Sequence, residues 1–456
     1  MDLTISVIGT GYLGATHAAC LAELGFDVIG VDRDQEKVDR LETGAAPFTE
    51  PGLDELLRRH VGTGRLRFTT DLREAAARAD VHFICVGTPQ TASGLGADLG
   101  ALWSVVRELA VHLTRDSLVV GKSTVPVGTA ERLATELAGL VPKGVTASLA
   151  WNPEFLREGH GVQDTLCPDR LVFGVTSPEA ELTLRRVYAR PIDEGVPVHV
   201  TDLPTAELAK TAANAFLATK ISFVNAVAEI SDRAGADVVA LADILGDDSR
   251  IGRRFLDAGV GFGGGCLPKD LRALSARAAE LGAPSMAALL HDVDEINLRA
   301  RDRVVELATE LCAGDLDQRR IAVLGAAFKP LSDDVRDSPA LDVARRLHGG
   351  GADVRVFDPE ASLNARAVAP ELTYVASVES ALRDADLVVH LTEWPQFREL
   401  DPRRAAGLVR RPVLLDGRNR LDPDRWADAG WTVQGIGRPR RQLRVPALTA
   451  DVPTRS

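Results

Sequence analysis

Residues 3–8, Leu3-Thr-Ile-Ser-Val-Ile8, run straight into Gly9-Thr10-Gly11-Tyr12-Leu13-Gly14, and the reading of that junction decides the fold. An apolar helical pattern follows through Leu21 and Leu24 to a stop at Gly25, and a second apolar run over 26–31 closes at Asp32. Strand, G-x-G-x-x-G turn, helix, strand and an acid about 20 residues beyond the glycines are the parts of a dinucleotide-binding βαβ unit, in the order it requires. The helix N–H groups hold the pyrophosphate, and the Asp32 carboxylate can accept hydrogen bonds from a ribose diol. The same charge repels a 2′-phosphate, so the expected cofactor is NAD rather than NADP, with neighbouring Arg33 as the one contrary feature.

Outward from this unit, strands are expected over 81–86, ending in Gly87-Thr88-Pro89, and over 118–120, ending in Lys122-Ser-Thr124-Val-Pro-Val-Gly128. A further strand over 148–150 leads into Trp151-Asn-Pro-Glu154-Phe155-Leu156-Arg157-Glu158-Gly. Each places turns and polar residues where parallel strands end, which is the ligand edge of such a sheet. If the last segment turns helically, Glu154 and Glu158 share a face and one can serve as a general acid or base. Residues 206–245 are helix formers broken near Gly235, with Lys210 and Asn214 one turn apart on a long apolar stripe of the kind that packs a core or a second subunit.

The run Val260-Gly261-Phe262-Gly263-Gly-Gly-Cys266-Leu-Pro-Lys269-Asp270 then delivers one cysteine to the start of a helix, with Pro268 suited to its first turn and Gly282 to its end. A cysteine beside a helix N-terminus and a lysine favours its thiolate, the form that acts as a nucleophile. In the last third, strands over 320–324, 353–357, 387–390 and 413–415 with a helix over 340–347 predict a second open sheet without G-x-G-x-x-G, offering Lys329, Arg336 and Arg418 at strand ends as a set that suits a diphosphate. The expected fold is α/β, two Rossmann-like open-sheet domains (1–200 and 301–437) joined by a long-helix dimerisation domain (201–300), with a loosely ordered tail over 438–456.

Composition narrows the function. Five dispersed cysteines without a CxxC pair argue against a zinc site or disulfide frame and for a reducing, cytoplasmic setting, with Cys20, Cys85 and Cys312 read as core. The start of the chain lacks the basic opening of a signal peptide, and no stretch approaches a membrane span. A net charge of -12 disfavours nucleic acid as a partner. No metal is expected.

Taken together, GTGYLG, KSTVPVGT, NPEFLREG, ELAKTAANAFLATKIS, GVGFGGGCLPKD, AFKPLSDDVRDSPA and DGR closely resemble the UDP-glucose/GDP-mannose dehydrogenase family, in particular its UDP-glucose 6-dehydrogenase branch, over nearly the whole chain. The resemblance implies NAD-dependent, two-step oxidation of a nucleotide-sugar C6 alcohol to the carboxylate with two NADH formed, by a homodimer or higher homo-oligomer. It implies that Cys266 is the nucleophile carrying a thiohemiacetal and then a thioester, that Glu154 is an acid or base in hydrolysis, that Lys210 stabilises oxyanions, and that Asn214 and Asp270 position water and substrate. Implied substrate contacts are Phe155, Leu156, Arg157, Glu158, Lys210, Asn214, Asp257, Gly261, Phe262, Gly263, Phe328, Lys329 and Arg418, with Arg250 supplied across the dimer. Implied cofactor contacts are Gly9, Thr10, Gly11, Tyr12, Leu13, Gly14, Asp32, Lys37, Thr88, Thr124, Glu158, Lys269 and Arg336. Gly265, where many relatives carry serine, and Trp151, where they carry a smaller residue, depart from the family pattern.

The chemistry agrees with that assignment. One alcohol oxidation needs only hydride transfer and a base, whereas an aldehyde has no good hydride to give until a nucleophile adds to it. Three alternatives stay open at this level: the GDP-mannose branch, a non-catalytic NAD or sugar-nucleotide binding protein, and a simple hydroxyacid dehydrogenase, the last leaving Cys266 and the third domain unexplained. Uridine and thymidine bases differ by one methyl, worth about 1 kcal/mol in an apolar pocket, so dTDP-glucose remains beside UDP-glucose.

Overall fold

Short runs of Val, Ile, Leu and Ala buried on both faces build two sheets, the pattern of strands covered by helices on either side. The computed structural model describes residues 3–92 and 94–442. It divides into two compact units: everything described up to Thr219 with Gly263–Glu295 and Leu331–Asp333, and Lys220–Phe262 with Ile296–Pro330 and the described residues from Asp334 on.

The first unit holds β1 (Thr4–Ile8), β2 (Asp27–Val31), β3 (Leu66–Thr69), β4 (Val81–Ile84), β5 (Ser117–Gly121), β6 (Ala147–Trp151), β7 (Leu171–Gly174) and β8 (Val198–Thr201), in the order β3-β2-β1-β4-β5-β6-β7-β8. All pairs are parallel except β6 with β7. The order reverses at β1, where the chain leaves toward β2 on one side and β4 on the other, so the glycine turn after β1 opens at the sheet's switch point.

The second unit repeats the plan with β9 (Arg320–Leu324), β10 (Asp353–Phe357), β11 (Thr373–Tyr374), β12 (Leu387–His390), β13 (Val413–Asp416) and β14 (Thr432–Gly435), ordered β11-β10-β9-β12-β13-β14. The repetition reaches individual hydrogen bonds. Gly9, at φ 90°, donates to Val31 O at 2.8 Å, and Gly325, at φ 110°, donates to Phe357 O at 2.8 Å. Thr10 N donates to Asp32 at 2.9 Å and Ala326 N to Asp358 at 2.7 Å. Thr4 N donates to Asp80 at 2.9 Å and Arg320 N to Asp386 at 3.0 Å.

The central helices are Leu203–Ala234, Val238–Asp247, Leu267–Glu280 and Pro284–Leu311. Gly235, at φ 74°, makes the break between the first two, and Gly282, at φ 72°, ends the third. Pro268 lies in the first turn of its helix, as its missing N–H favours. The division into units falls within Leu203–Ala234 and again within Pro284–Leu311, so the helical middle of the chain is shared between them.

Two expectations need correction. Residues 152–157 are not helical, so Glu154 and Glu158 do not share a helix face. Pro153 disfavours helical geometry at Asn152, and the Glu154 carboxylate instead accepts the N–H groups of Phe155 at 2.7 Å and Leu156 at 2.9 Å. The segment expected as a loose tail is tied at its start, where Arg438 pairs with Asp237 at 3.1 Å and Arg441 bridges to Val433; its remainder, 443–456, lies outside the described residues. Trp151 belongs to the core rather than to a pocket: it is 1% exposed, and its ring occupies the space a side chain at Gly121 would need.

Candidate active site

The glycine turn is built by exclusion. A Cβ on Gly14 would stand 1.8 Å from Gly9 O, and one on Gly9 would strike Val86, so helix and strand approach only because both are glycine. Gly11 has open space where a Cβ would be, and it caps the Tyr12–Glu23 helix without a side-chain bond, leaving the helix N–H groups to a ligand. Asp32 Oδ2 takes Thr10 N and Oγ1 and the Lys37 ammonium at 2.9 Å, while Oδ1 receives one longer bond from Asp34 N at 3.2 Å. Burial acts to raise Asp32, but Lys37 and the backbone donors outweigh it and hold the carboxyl below its usual range. An ionised acid with lone pairs left on Oδ1 beside an uncapped helix start fits the adenosine ribose and pyrophosphate of NAD. Arg33 is exposed. Thr88 is buried and its hydroxyl donates to Thr124 O at 2.7 Å, which ties the ends of two expected cofactor loops together.

Tyr12 does more than its place in the motif suggests. Its hydroxyl donates to Glu50 and accepts Gly159 N at 2.8 Å. The same Glu50, 8% exposed, accepts Gly159 N and Gly161 N, each at 2.7 Å. A buried carboxylate therefore fastens the glycine turn to the segment that follows Glu158, at the start of the Gly161–Leu166 helix. Sequence reading missed Glu50; its Glu-Pro-Gly setting looked like an ordinary turn.

The catalytic candidates gather in the first unit. Cys266 is the N-cap residue of Leu267–Glu280 and is exposed. Surrounding protein pushes its thiol up, Lys210 pulls it down, and Asp270 and Glu158 push it up again. The net direction is upward, which corrects the expectation of a stabilised thiolate: desolvation and two carboxylates outweigh the two lysines. Asp270, 1% exposed, accepts Asn214 Nδ2 at 2.7 Å and Lys269 Nζ at 2.6 Å, so the expected pair Asn214 and Asp270 is in direct contact. Lys269 is engaged by a carboxylate rather than by Cys266 alone. Lys210 is 9% exposed, makes no ion pair among the described residues, and lies 5.6 Å from the Phe155 ring centre, whose face also carries the Arg170 guanidinium at 3.9 Å. Arg157 is clamped by Asp164 through its own N–H at 2.8 Å and its guanidinium at 2.7 Å. Ser332 donates to Glu158 at 3.5 Å.

Behind Glu154 stands a group the sequence reading quoted without assigning. Lys122, 4% exposed, directs its ammonium at Glu154 Oε2 at 3.0 Å, Asn152 Oδ1 at 3.1 Å and Tyr188 OH at 3.4 Å. Burial works against its charge, but Glu154 and Tyr188 more than offset it and the ammonium is held well above its usual range. The Cys20 and Cys85 thiols are buried and pushed up, Cys85 to about 12, as expected of core cysteines, and Cys312 is buried as well.

In the second unit, Asn297 holds the glycine loop by accepting Phe262 N at 2.7 Å and donating to Phe262 O at 3.1 Å, with its side chain filling the space above Gly261, which lies at φ 91°. Arg418 donates to Leu391 O, Gly261 O and Phe328 O at 2.7, 3.1 and 3.0 Å. Much of its fork thus ties the loop to the sheet edge, a structural duty the expectation of a diphosphate ligand did not include. Lys329 stands 5.3 Å from the Phe328 ring centre, Asp257 pairs with Arg420 at 2.6 Å, Arg336 pairs with Asp334 and Arg250 with Asp248.

Comparison with known proteins agrees with this layout. Three family models match in succession: the NAD binding domain of the UDP-glucose/GDP-mannose dehydrogenase family over 3–192, its central domain over 204–299 and its UDP binding domain over 322–423. The chain is 42% identical over 447 residues to a UDP-glucose 6-dehydrogenase of Pseudomonas aeruginosa, spanning 96% of this chain and 98% of that one. It is 41% identical to UDP-glucose 6-dehydrogenase TuaD of Bacillus subtilis, over 95% and 93% of the two chains. Among solved structures, a UDP-glucose dehydrogenase from Pyrobaculum islandicum superposes with a TM-score of 0.89 at 39% identity, covering 96% of this chain and 98% of that one.

Proposed function

The chain belongs to the UDP-glucose/GDP-mannose dehydrogenase family, and from that membership we propose that it oxidises UDP-glucose at C6 to the glucuronate, forming two NADH per sugar through a thioester on Cys266. The observation that carries the reading is an accessible cysteine capping a helix in the same unit as an unpaired ammonium, Lys210, and the Asn214–Asp270 pair. A binding protein has no use for that set, and a single alcohol oxidation needs no cysteine. Substrate choice rests on the relatives at about 40% identity, which are UDP-glucose 6-dehydrogenases.

NAD, held by the Gly9–Gly14 turn and Asp32, would supply the hydride acceptor for both oxidations, and the hydroxyl proton lost in each would pass to water. Between them the Cys266 sulfur bonds to the aldehyde carbon and the thiol proton passes to the developing alkoxide, giving a thiohemiacetal. The Lys210 ammonium stabilises the oxyanion, and the second oxidation leaves a thioester. Water then attacks, Glu154 accepts its proton, the C–S bond breaks and the sulfur departs as thiolate to be reprotonated. Asp270 and Asn214 hold each other in place for this step.

On Leu203–Ala234, Phe216, Phe223 and Ile230 recur every seven residues and are 67%, 54% and 64% exposed. An apolar stripe of that spacing favours a homodimer, in which Arg250, exposed, is available to a second subunit. Five free cysteines suit a reducing compartment such as the cytoplasm.

The test is NADH formed per nucleotide sugar consumed, with UDP-glucose and dTDP-glucose in parallel and GDP-mannose as competitor, on wild type and Cys266→Ser. Two NADH per sugar with UDP-glucose, lost in the variant, is the expected result. One NADH per sugar, or turnover of GDP-mannose in preference, overturns the reading, and faster turnover of dTDP-glucose reassigns the base.

A further inference from the structure

The Glu154 carboxylate has four lone-pair positions, and three are already taken. Oε1 accepts Phe155 N and Leu156 N, and Oε2 accepts one N–H of Lys122. What remains, among the described residues, is the second lone pair of Oε2. Lys122 itself is held from below: its other N–H groups meet Asn152 Oδ1 and Tyr188 OH, Tyr188 OH donates to Asn152 Oδ1 at 2.6 Å, and Asn152 Nδ2 donates to Val172 O at 3.0 Å. Three elements converge here, since Lys122 directly follows β5, Asn152 directly follows β6 and Tyr188 follows the Pro178–Val187 helix. The network buries an ammonium with all three of its donors spent, which is a large desolvation for the fold to tolerate.

We propose that Lys122 is a positioning residue for the reaction: it fixes the Glu154 carboxylate in place and leaves one lone pair of Oε2 as the proton acceptor for the hydrolytic water. This rests on the thioester reading above. It requires only proton transfer, from water to Glu154 Oε2, as oxygen bonds to C6 and the C–S bond breaks. Without the ammonium, Oε2 loses the contact that aims its remaining lone pair. Loss of Lys122 therefore acts on kcat and leaves sugar and cofactor binding nearly unchanged.

The experiment compares Lys122→Met, Lys122→Arg, Glu154→Gln and the double variant Lys122→Met/Glu154→Gln in the full chain. The wild type is first confirmed to form two NADH per sugar; failure there counts against the thioester reading, not against Lys122. Lys122→Met is expected to lower kcat about 10²-fold at neutral pH and to change KM for either ligand by less than about threefold. Intact-mass spectra of the protein quenched during turnover should show a sugar-nucleotide adduct that accumulates in Lys122→Met and disappears with Cys266→Ser. Lys122→Arg, which keeps a cation against Glu154, should recover most of the wild-type kcat. Should Lys122→Met not fold, the comparison of Glu154→Gln with the double variant, which buries no lone charge, decides alone. Equal activity of the two supports the proposal. A further loss of about tenfold in the double variant, or a KM that rises as kcat falls, overturns it, because Lys122 would then act other than through Glu154.

Discussion

Replacing Glu50 by alanine probes the joint between the glycine turn and the segment around Glu158. In the intact protein this carboxylate, 8% exposed, receives buried N–H groups from Gly159 and Gly161 at 2.7 Å each and the Tyr12 hydroxyl. Gly159 N keeps the Tyr12 oxygen at 2.8 Å after the change, but Gly161 N loses its strong acceptor and Tyr12 loses the group its proton points to. A hydrogen bond to a charged group is worth about 1.5–3 kcal/mol, and stranding a buried donor costs about 1–3 kcal/mol. Allowing for water entering the vacated space, the expected loss is about 3 kcal/mol, which lowers the melting temperature of the first unit by roughly 5–10 °C. Glu50→Gln keeps one acceptor and should lose about half as much. Scanning calorimetry reads the stability. Titration with NAD should show weaker binding in step, since Tyr12 belongs to the pyrophosphate turn. An alanine variant that melts within about 1 °C of wild type, or binds NAD unchanged while destabilised, refutes the coupling.

Three further outcomes follow from the same geometry. Buried His82 has its pKa lowered to about 4 by desolvation, so the unfolded chain takes up the proton first; its contribution to stability falls as pH drops through about 6.5, by about 3 kcal/mol, and is fully lost below 4. Buried His17 is lowered as well and acts in the same sense, and urea midpoints at pH 7 and 4.5 that do not differ would contradict this assignment. Asp32→Asn should weaken NAD binding about tenfold or more by calorimetric titration while relaxing discrimination against NADP, and retained NADP rejection would show that selectivity lies elsewhere. Gly121→Ala places a Cβ 2.1 Å from the Trp151 ring and should destabilise by about 1–3 kcal/mol in chemical denaturation, with Trp151→Leu restoring part of the loss.

The dinucleotide turn was legible because its constraints are local. Gly9, Gly14 and Asp32 each answer to an atom within one βαβ unit, so spacing alone places them. The helix after Cys266 was legible for the same reason, through Pro268 and Gly282. What escaped was long-range. β7 and β8 carry only four residues each, too few for their alternation to stand out from the loops around them. Glu50 reaches Gly159 across 109 residues and Lys122 reaches Glu154 from a neighbouring strand, contacts that no periodicity records. The helical reading of 154–158 failed because a four-residue spacing says nothing about a proline one position earlier. The thiolate expectation weighed Lys269 but not Asp270, whose charge that lysine already answers.

The two sheets begin with the same turn and the same acid, yet their acids live differently. Asp32 keeps lone pairs on Oδ1, which holds a single bond at 3.2 Å. Asp358, at the matching place after β10, has its two oxygens crowded by Ala326 N, Ala327 N, Glu360 N, Ala361 N and the Trp394 indole. The Glu360 and Ala361 N–H groups fill Oδ1, the oxygen that Asp32 keeps open, and so retire the second copy from nucleotide-ribose duty. The fold is written twice in this chain, and which copy can greet a dinucleotide is decided by whether a single carboxylate has a hand left to offer.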